Sequence, residues 1–420
     1  MKFGIERVVG SGRTTAVSLA MLAMLAMLAM LAVAGCGSED GGQTGTATDA
    51  AAADAKADAG AKTKEVTGCG GSKLLALQEA PGLDDAGMLR GPWAVGAQTL
   101  TIDGLTVEVW YPAAAGSADG VAAKRYDLRQ WLPKAEQSKI PDAEAPALDC
   151  DCYSDLPPDT THGPYPAIVF IHGTAGFRAQ SMAICTAWAS HGFVVVAADH
   201  PKIVLQDALA LNLGADQPGD ARRLLDALRT KDAAFGPLAA ILDPQRFGVS
   251  GHSAGGMATG SLGAEAGVQV AIPMAARGVD PAGPATATVV LGGIDDSTVQ
   301  WSATVEGYEK TVGSKWLVGL QGAGHLAFSD LCRFGADKGG LFGIAKTYGI
   351  TMPPGTEPLF QKLASDGCGE GQMAPERSAR LSVAASLPVL RQVLQCQAGA
   401  AAAFAAVEAA ADVGEVRKAP

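Results

Sequence analysis

Histidine is scarce in this chain, six in 420 residues, and basic charge is in deficit, with 32 lysines and arginines against 43 aspartates and glutamates. The resulting net charge of −11 leaves no basic patch of the kind that neutralises phosphates, which excludes a nucleic-acid partner. Few histidines also restrict metal chemistry. Cys150-Asp151-Cys152 has no histidine at ligand spacing, so disulfide bonding is expected there, and no metal or other cofactor is implied. Nothing in the sequence calls for an obligate protein partner.

Large apolar residues are almost missing between positions 37 and 67, a run of Ala, Gly, Asp and Thr that cannot bury enough surface to order itself. The segment before it is the reverse. Lys2, Arg7 and Arg13 form a basic region, Ala16 to Ala32 is apolar with a Leu-Ala-Met repeat, and Val33-Ala34-Gly35-Cys36 follows. Those four residues resemble a bacterial lipobox, which implies cleavage before Cys36 and lipidation of its thiol, with a retained anchor helix as the alternative. The expected organisation is a signal peptide over 1–35, a disordered tether over 36–68, a folded domain over 69–349 and a C-terminal helical extension over 350–420. Cleavage removes three basic residues and one acidic residue and takes the net charge from −11 to −13. Acyl chains on Cys36 would contribute ~0.8 kcal/mol per buried CH₂ and hold the protein to a membrane of the cell envelope.

Short β-rich runs separated by helix-length segments organise the remainder. They lie at Ala167 to Ile171, Phe193 to Ala198, Phe247 to Val249, Val268 to Ile272, Thr288 to Leu291 and Trp316 to Leu320, and they predict an α/β fold with a doubly wound, mostly parallel sheet flanked by helices. Leu100 to Trp110 alternates and turns at Asp103-Gly104, which predicts an antiparallel N-terminal hairpin. About fifteen residues separate the runs near Val270 and Val289, too few for a large lid domain. The loop from Tyr126 to Thr161 and the tail beyond Gly349 either wall a pocket or cover the sheet, the second being expected for the tail.

The run Phe247-Gly248-Val249 leads directly into Ser250-Gly251-His252-Ser253-Ala254-Gly255-Gly256, a G-x-S-x-G pattern between a strand and a helix. Small residues at Gly251, Ala254 and Gly255 let the backbone crowd together so that a serine hydroxyl projects from a tight turn. With 53 glycines in the chain, a flexible turn is the plain alternative, and the strand before and helix after favour a nucleophile at Ser253. Of the six histidines, His162, His172, His191, His200 and His252 precede or adjoin this serine, and His325 alone lies beyond it. In this architecture the base follows the nucleophile and the acid along the chain, which selects His325, at the end of the run Lys315 to Leu320. Between them Ala287 to Leu291 ends in Gly292-Gly293-Ile294-Asp295-Asp296. Asp296 is the preferred acid and Asp295 stays open, whereas Glu265, Asp280, Glu306 and Glu309 follow no comparable strand. The backbone amide of Ala254 and one from the small-residue loop His172-Gly173-Thr174-Ala175-Gly176, taken as Thr174, are the expected oxyanion donors.

These residues, together with Trp188-Ala189-Ser190-His191-Gly192-Phe193, make the chain similar to the α/β-hydrolase superfamily over roughly Gly91 to Gly349. Within it, the chain resembles the branch of dienelactone hydrolase-like proteins, platelet-activating-factor acetylhydrolases and cutinase-like polyester hydrolases. The resemblance implies Ser253 as nucleophile, Asp296 as acid, His325 as base, and Thr174 and Ala254 as oxyanion donors. It further implies cleavage of carboxylic esters, short-chain esters first and short-acyl phospholipids second. Polyester hydrolases have an aromatic residue where this chain has Thr174 and a Trp-Ser-Met elbow where it has His252-Ser253-Ala254, and dienelactone hydrolases use cysteine where it has Ser253. The rival reading is a non-catalytic binding lipoprotein with the same fold, in which Ser253 and His325 would stand beyond hydrogen-bond reach. With Cys36 lipidated, seven cysteines remain. Cys185, in a predicted helix, is the expected free thiol, and Cys332 is expected to pair with Cys368 or Cys396.

Overall fold

The computed structural model describes residues 64–76, 83, 88–277, 285–398 and 400–419. The expected signal peptide, the lipidation site Cys36 and the tether as far as residue 63 lie outside the described residues. The first described element, Glu65–Thr67, pairs antiparallel with Lys73–Leu75.

Among the described residues the central sheet has ten strands. In chain order they are β1 (Val95–Ile102), β2 (Leu105–Pro112), β3 (Tyr153–Ser154), β4 (Tyr165–Ile171), β5 (Val194–Ala198), β6 (Leu242–His252), β7 (Val268–Met274), β8 (Ala287–Gly293), β9 (Ser314–Leu320) and β10 (Val413–Ala419). Their spatial order is β10-β9-β8-β7-β6-β4-β5-β2-β1-β3. The run from β9 to β5 is parallel throughout, and β1 and β2 form the expected antiparallel hairpin. Its turn is the predicted Asp103-Gly104, both at positive φ (46° and 78°), the geometry of the two-residue turn that matches strand twist.

Every residue of β4 and β5 is buried, which accounts for their continuously apolar sequence. Side chains alternate between faces. Ile168, Phe170, Val195 and Ala197 point into one core, and Ala167, Val169, Ile171, Val194 and Val196 into the other. The first face is covered by α1 (Met182–Ser190) and the second by α2 (Gln217–Thr230). Next along the chain, α3 (Ala254–Gly260) follows β6 and packs on β6 and β7, and α4 (Trp301–Lys310) packs on β8 and β9.

The tail differs from the purely helical extension expected. Its long helix α5 (Pro375–Leu394) lies across β6, β7 and β8 and against α1, and its last strand β10 pairs antiparallel with β9. The Trp188 indole N–H donates to Ser386 Oγ at 3.0 Å, and the Cys69–Cys396 disulfide ties the first described segment to the end of α5. Without α5, one face of β6, the strand that leads into Ser253, would lose its cover. Two further disulfides are Cys150–Cys152 and Cys332–Cys368, and Cys185 is a buried free thiol.

Candidate active site

Ser253 occupies the junction between β6 and α3 at φ 56°, ψ −118°. A non-glycine residue rarely adopts positive φ, and here the surroundings enforce it. The Ser253 N–H donates to Met274 O at 2.9 Å, and the turn is jammed against β4. A Cβ at Gly255 would overlap the carbonyl oxygens of Ile171 and His172, and one at Gly251 would overlap the carbonyl of Gly255. The glycines flanking the serine are therefore required by backbone contact, and the turn aims the serine side chain away from the sheet. Ser253 is only half-buried.

His325 opens a short 3₁₀ turn (His325–Phe328) after β9. Its Nε2 lies 2.9 Å from Ser253 Oγ, and its Nδ1 lies 2.8 Å from Asp296 Oδ2. Asp296 divides its carboxylate between two tasks: Oδ2 faces the imidazole, while Oδ1 accepts the backbone N–H groups of Thr298 (2.8 Å) and Val299 (2.6 Å). This Asx-type turn fixes the acid loop after β8. Asp296 and His325 are 5 % and 3 % exposed, so their hydrogen bond is shielded from competing water. The other aspartate, Asp295, is exposed and accepts the Gly322 N–H at 2.7 Å, bracing the loop before His325 without reaching its ring.

Gly173 sits against the serine, where a Cβ would stand 3.1 Å from Ser253 Cβ, so the loop after β4 borders the site as expected. Its neighbouring amides are occupied: Ala175 N–H donates to Ile203 O at 2.9 Å and Gly176 N–H to Gly173 O at 3.0 Å. Thr174, between Gly173 and Ala175, is exposed. Ala254 is the first residue of α3, and the opening amides of a helix have no acceptor within it. Ala254 thus adjoins Ser253 in the chain, and Thr174 follows Gly173, the residue that stands against the serine.

A polar strap that sequence reasoning missed links these loops. Gly173 N–H donates to Gln180 Oε1 (3.0 Å), the Gln180 amide donates to His252 Nδ1 (2.9 Å), and His252 Nε2–H donates to His325 O (2.8 Å). This pattern needs a neutral His252. Burial, then the proximity of His325, lowers its pKa to about 3, so the strap stays intact across the neutral range. His172 is neutral for the same first reason, burial, followed by the proximity of His200, and its pKa is also lowered to about 3. It donates to Gly173 O at 2.8 Å and accepts the His200 N–H at 3.0 Å.

A family model described as platelet-activating factor acetylhydrolase, isoform II, matches residues 86–205, and one described as chlorophyllase matches residues 156–290. The chain has the α/β-hydrolase fold. The first match spans β1 to β5 and the loop at Thr174. The second spans β4 to β8 and the elbow at Ser253. Both families indicate hydrolytic activity of the ester-cleaving type for this hydrolase. Asp296, His325 and the whole tail lie beyond both matches, so their place in the hydrolase site rests on geometry. No curated protein matches the chain.

Proposed function

We propose that this hydrolase cleaves carboxylic esters through an acyl-enzyme on Ser253. The observation that carries the reading is the unbroken chain from Ser253 Oγ to His325 Nε2 at 2.9 Å and from His325 Nδ1 to Asp296 Oδ2 at 2.8 Å. His325 takes the serine proton as Oγ attacks the ester carbonyl, and Asp296 holds the imidazole with Nε2 free to accept. The amides of Thr174 and Ala254 stabilise the tetrahedral oxyanion. His325 then protonates the departing alcohol, and a water activated by the same imidazole releases the acid. These steps use only side chains and backbone amides of the chain, and no cofactor is invoked.

Short-chain esters are the proposed substrates. The acetylhydrolase match over residues 86–205 supports a small acyl group and makes short-acyl phospholipids the second class. Lipidation of Cys36 would hold the enzyme on a membrane of the cell envelope, within reach of either class. The test is hydrolysis of p-nitrophenyl esters from acetate to palmitate by the wild type and by Ser253→Ala. Turnover greatest on acetate and butyrate and abolished in the variant is expected. A folded wild type that cleaves none of them would instead favour a binding lipoprotein.

A further inference from the structure

A second carboxylate stands behind the Asp296–His325 pair. Asp366 follows the helix Glu357–Ser365 and is 6 % exposed. Its Oδ1 accepts the backbone N–H of His325 at 3.1 Å. Its Oδ2 accepts the hydroxyls of Ser297 (2.9 Å) and Thr298 (2.6 Å), and the Ser297 N–H approaches the same oxygen at 3.2 Å. Its main-chain carbonyl accepts the Leu326 N–H at 2.7 Å. Ser297 and Thr298 directly follow Asp296, so one side chain joins the acid loop to the base loop from a third segment of chain.

The site is built to keep that side chain in place. An ionised carboxylate only accepts hydrogen bonds, and each of these partners donates. Burial pushes the Asp366 pKa up, but the Thr298 hydroxyl, the His325 amide and the Ser297 hydroxyl outweigh it and hold the group below the usual carboxylate range. Gly324 and Gly367 bring the two backbones together: a Cβ at Gly324 would meet Asp366 Oδ1 at 2.6 Å, and one at Gly367 would meet the Leu326 and Ala327 nitrogens at 2.9 Å. The Cys332–Cys368 disulfide clamps the same two segments covalently.

We propose that Asp366 is a positioning residue of the ester-cleaving site. It locks the Asp296 loop to the His325 backbone, and its negative charge, added to that of Asp296, favours the imidazolium that forms when His325 takes the Ser253 proton. This rests on the function proposed above. The titratable groups facing His325 are Asp296, Asp366 and His252, the last held neutral; Lys362 is exposed and reaches only the Ser297 carbonyl, at 3.4 Å.

The test uses the full chain and Asp366→Asn, which keeps the size of the side chain but loses the charge and one acceptor. With p-nitrophenyl butyrate, kcat is expected to fall roughly 10- to 100-fold, as for a small misplacement of reacting groups, while KM stays within about threefold. Removing a nearby negative charge disfavours the protonated form of the general base, so the acid limb of the kcat/KM profile should move down by roughly half a unit or more. Unchanged kcat per folded enzyme and an unmoved acid limb would overturn the proposal and leave a merely structural carboxylate. If Asp366→Asn does not fold, Thr298→Val decides: a several-fold loss of kcat at constant KM upholds the locking role, and wild-type kcat overturns it. If the wild type cleaves no ester, the function above fails, and the rate at which diisopropyl fluorophosphate labels Ser253, expected to be at least tenfold slower in Asp366→Asn, still tests the positioning role on its own.

Discussion

Replacing Asp296 by asparagine should leave the fold intact and nearly abolish turnover, and the hydrogen bonds around it dictate why. Oδ1 accepts two backbone N–H groups, from Thr298 and Val299, and an NH₂ group cannot accept them. The asparagine carbonyl must therefore take the Oδ1 position, which turns its NH₂ toward His325 Nδ1. That nitrogen becomes an acceptor, the ring proton moves to Nε2, and Nε2 then points a proton at Ser253 Oγ and cannot remove one. A wrong tautomer of this kind costs about 10⁴-fold in kcat in serine hydrolases, equivalent to about 5.4 kcal/mol at 1.36 kcal/mol per tenfold. The assay is kcat/KM on p-nitrophenyl butyrate, with the urea unfolding midpoint measured alongside. Asp295→Asn is the internal control: its side chain is exposed and accepts from the Gly322 amide and the Gln321 side chain without reaching His325, so activity within about threefold of wild type is expected. Activity of Asp296→Asn within tenfold of wild type would refute the reasoning.

Stability should fall steeply in mild acid. His172, His191 and His252 are each lowered from 6.5 to about 3, burial being the first cause in all three. The unfolded chain protonates them below about pH 6.5 and the native protein does not, so stability is lost as pH falls from 6.5 toward 3, with a limiting slope of about 4 kcal/mol per pH unit for three groups. Urea midpoints at pH 7.5, 5.5 and 4.5 measure it, and a flat profile would contradict the buried neutral assignments. Replacing both Cys332 and Cys368 by serine opens a 36-residue separation and should cost about 3–4 kcal/mol. Because that bridge holds the Asp366 segment on the His325 loop, kcat at 25 °C should also fall, by several-fold, while the protein is still fully folded; unchanged kcat would detach the bridge from the site.

The elbow was legible in the sequence because its requirements are local: a strand, a turn too tight for side chains at Gly251 and Gly255, and a helix, all within fifteen residues. His325 and the aspartate loop were legible as candidates because chain order and the ends of buried strands narrow the choice, and the scarcity of histidine left one candidate base. The preference for Asp296 over Asp295 could not be decided by spacing. It depends on which carboxylate turns inward, and the Asx turn to Thr298 and Val299 sets that. Gln180 and Asp366 carried no signal of their own, since each acts through a contact with a loop far away in sequence. The expected pairing of Cys332 with Cys368 or Cys396 was the one available hint, because the first of those pairings carries Asp366 to the base loop. The tail was underestimated for a similar reason. Val413-Gly414-Glu415-Val416-Arg417-Lys418 alternates too weakly to announce an edge strand, and α5 has the small-residue composition of a surface helix although its Ser378, Leu381, Ala385 and Leu390 are buried against the sheet and α1.

The most direct measurement of the central claim is covalent trapping of Ser253. The full chain is treated with diisopropyl fluorophosphate and digested, and the site of modification is located by mass spectrometry, with His325→Ala treated in parallel. Stoichiometric phosphorylation of the peptide containing Ser253, lost or slowed at least a hundredfold in His325→Ala, is the expected result, since the hydroxyl is reactive only while the imidazole 2.9 Å away accepts its proton. An unmodified Ser253 in a folded protein, or labelling equally fast without His325, would contradict it.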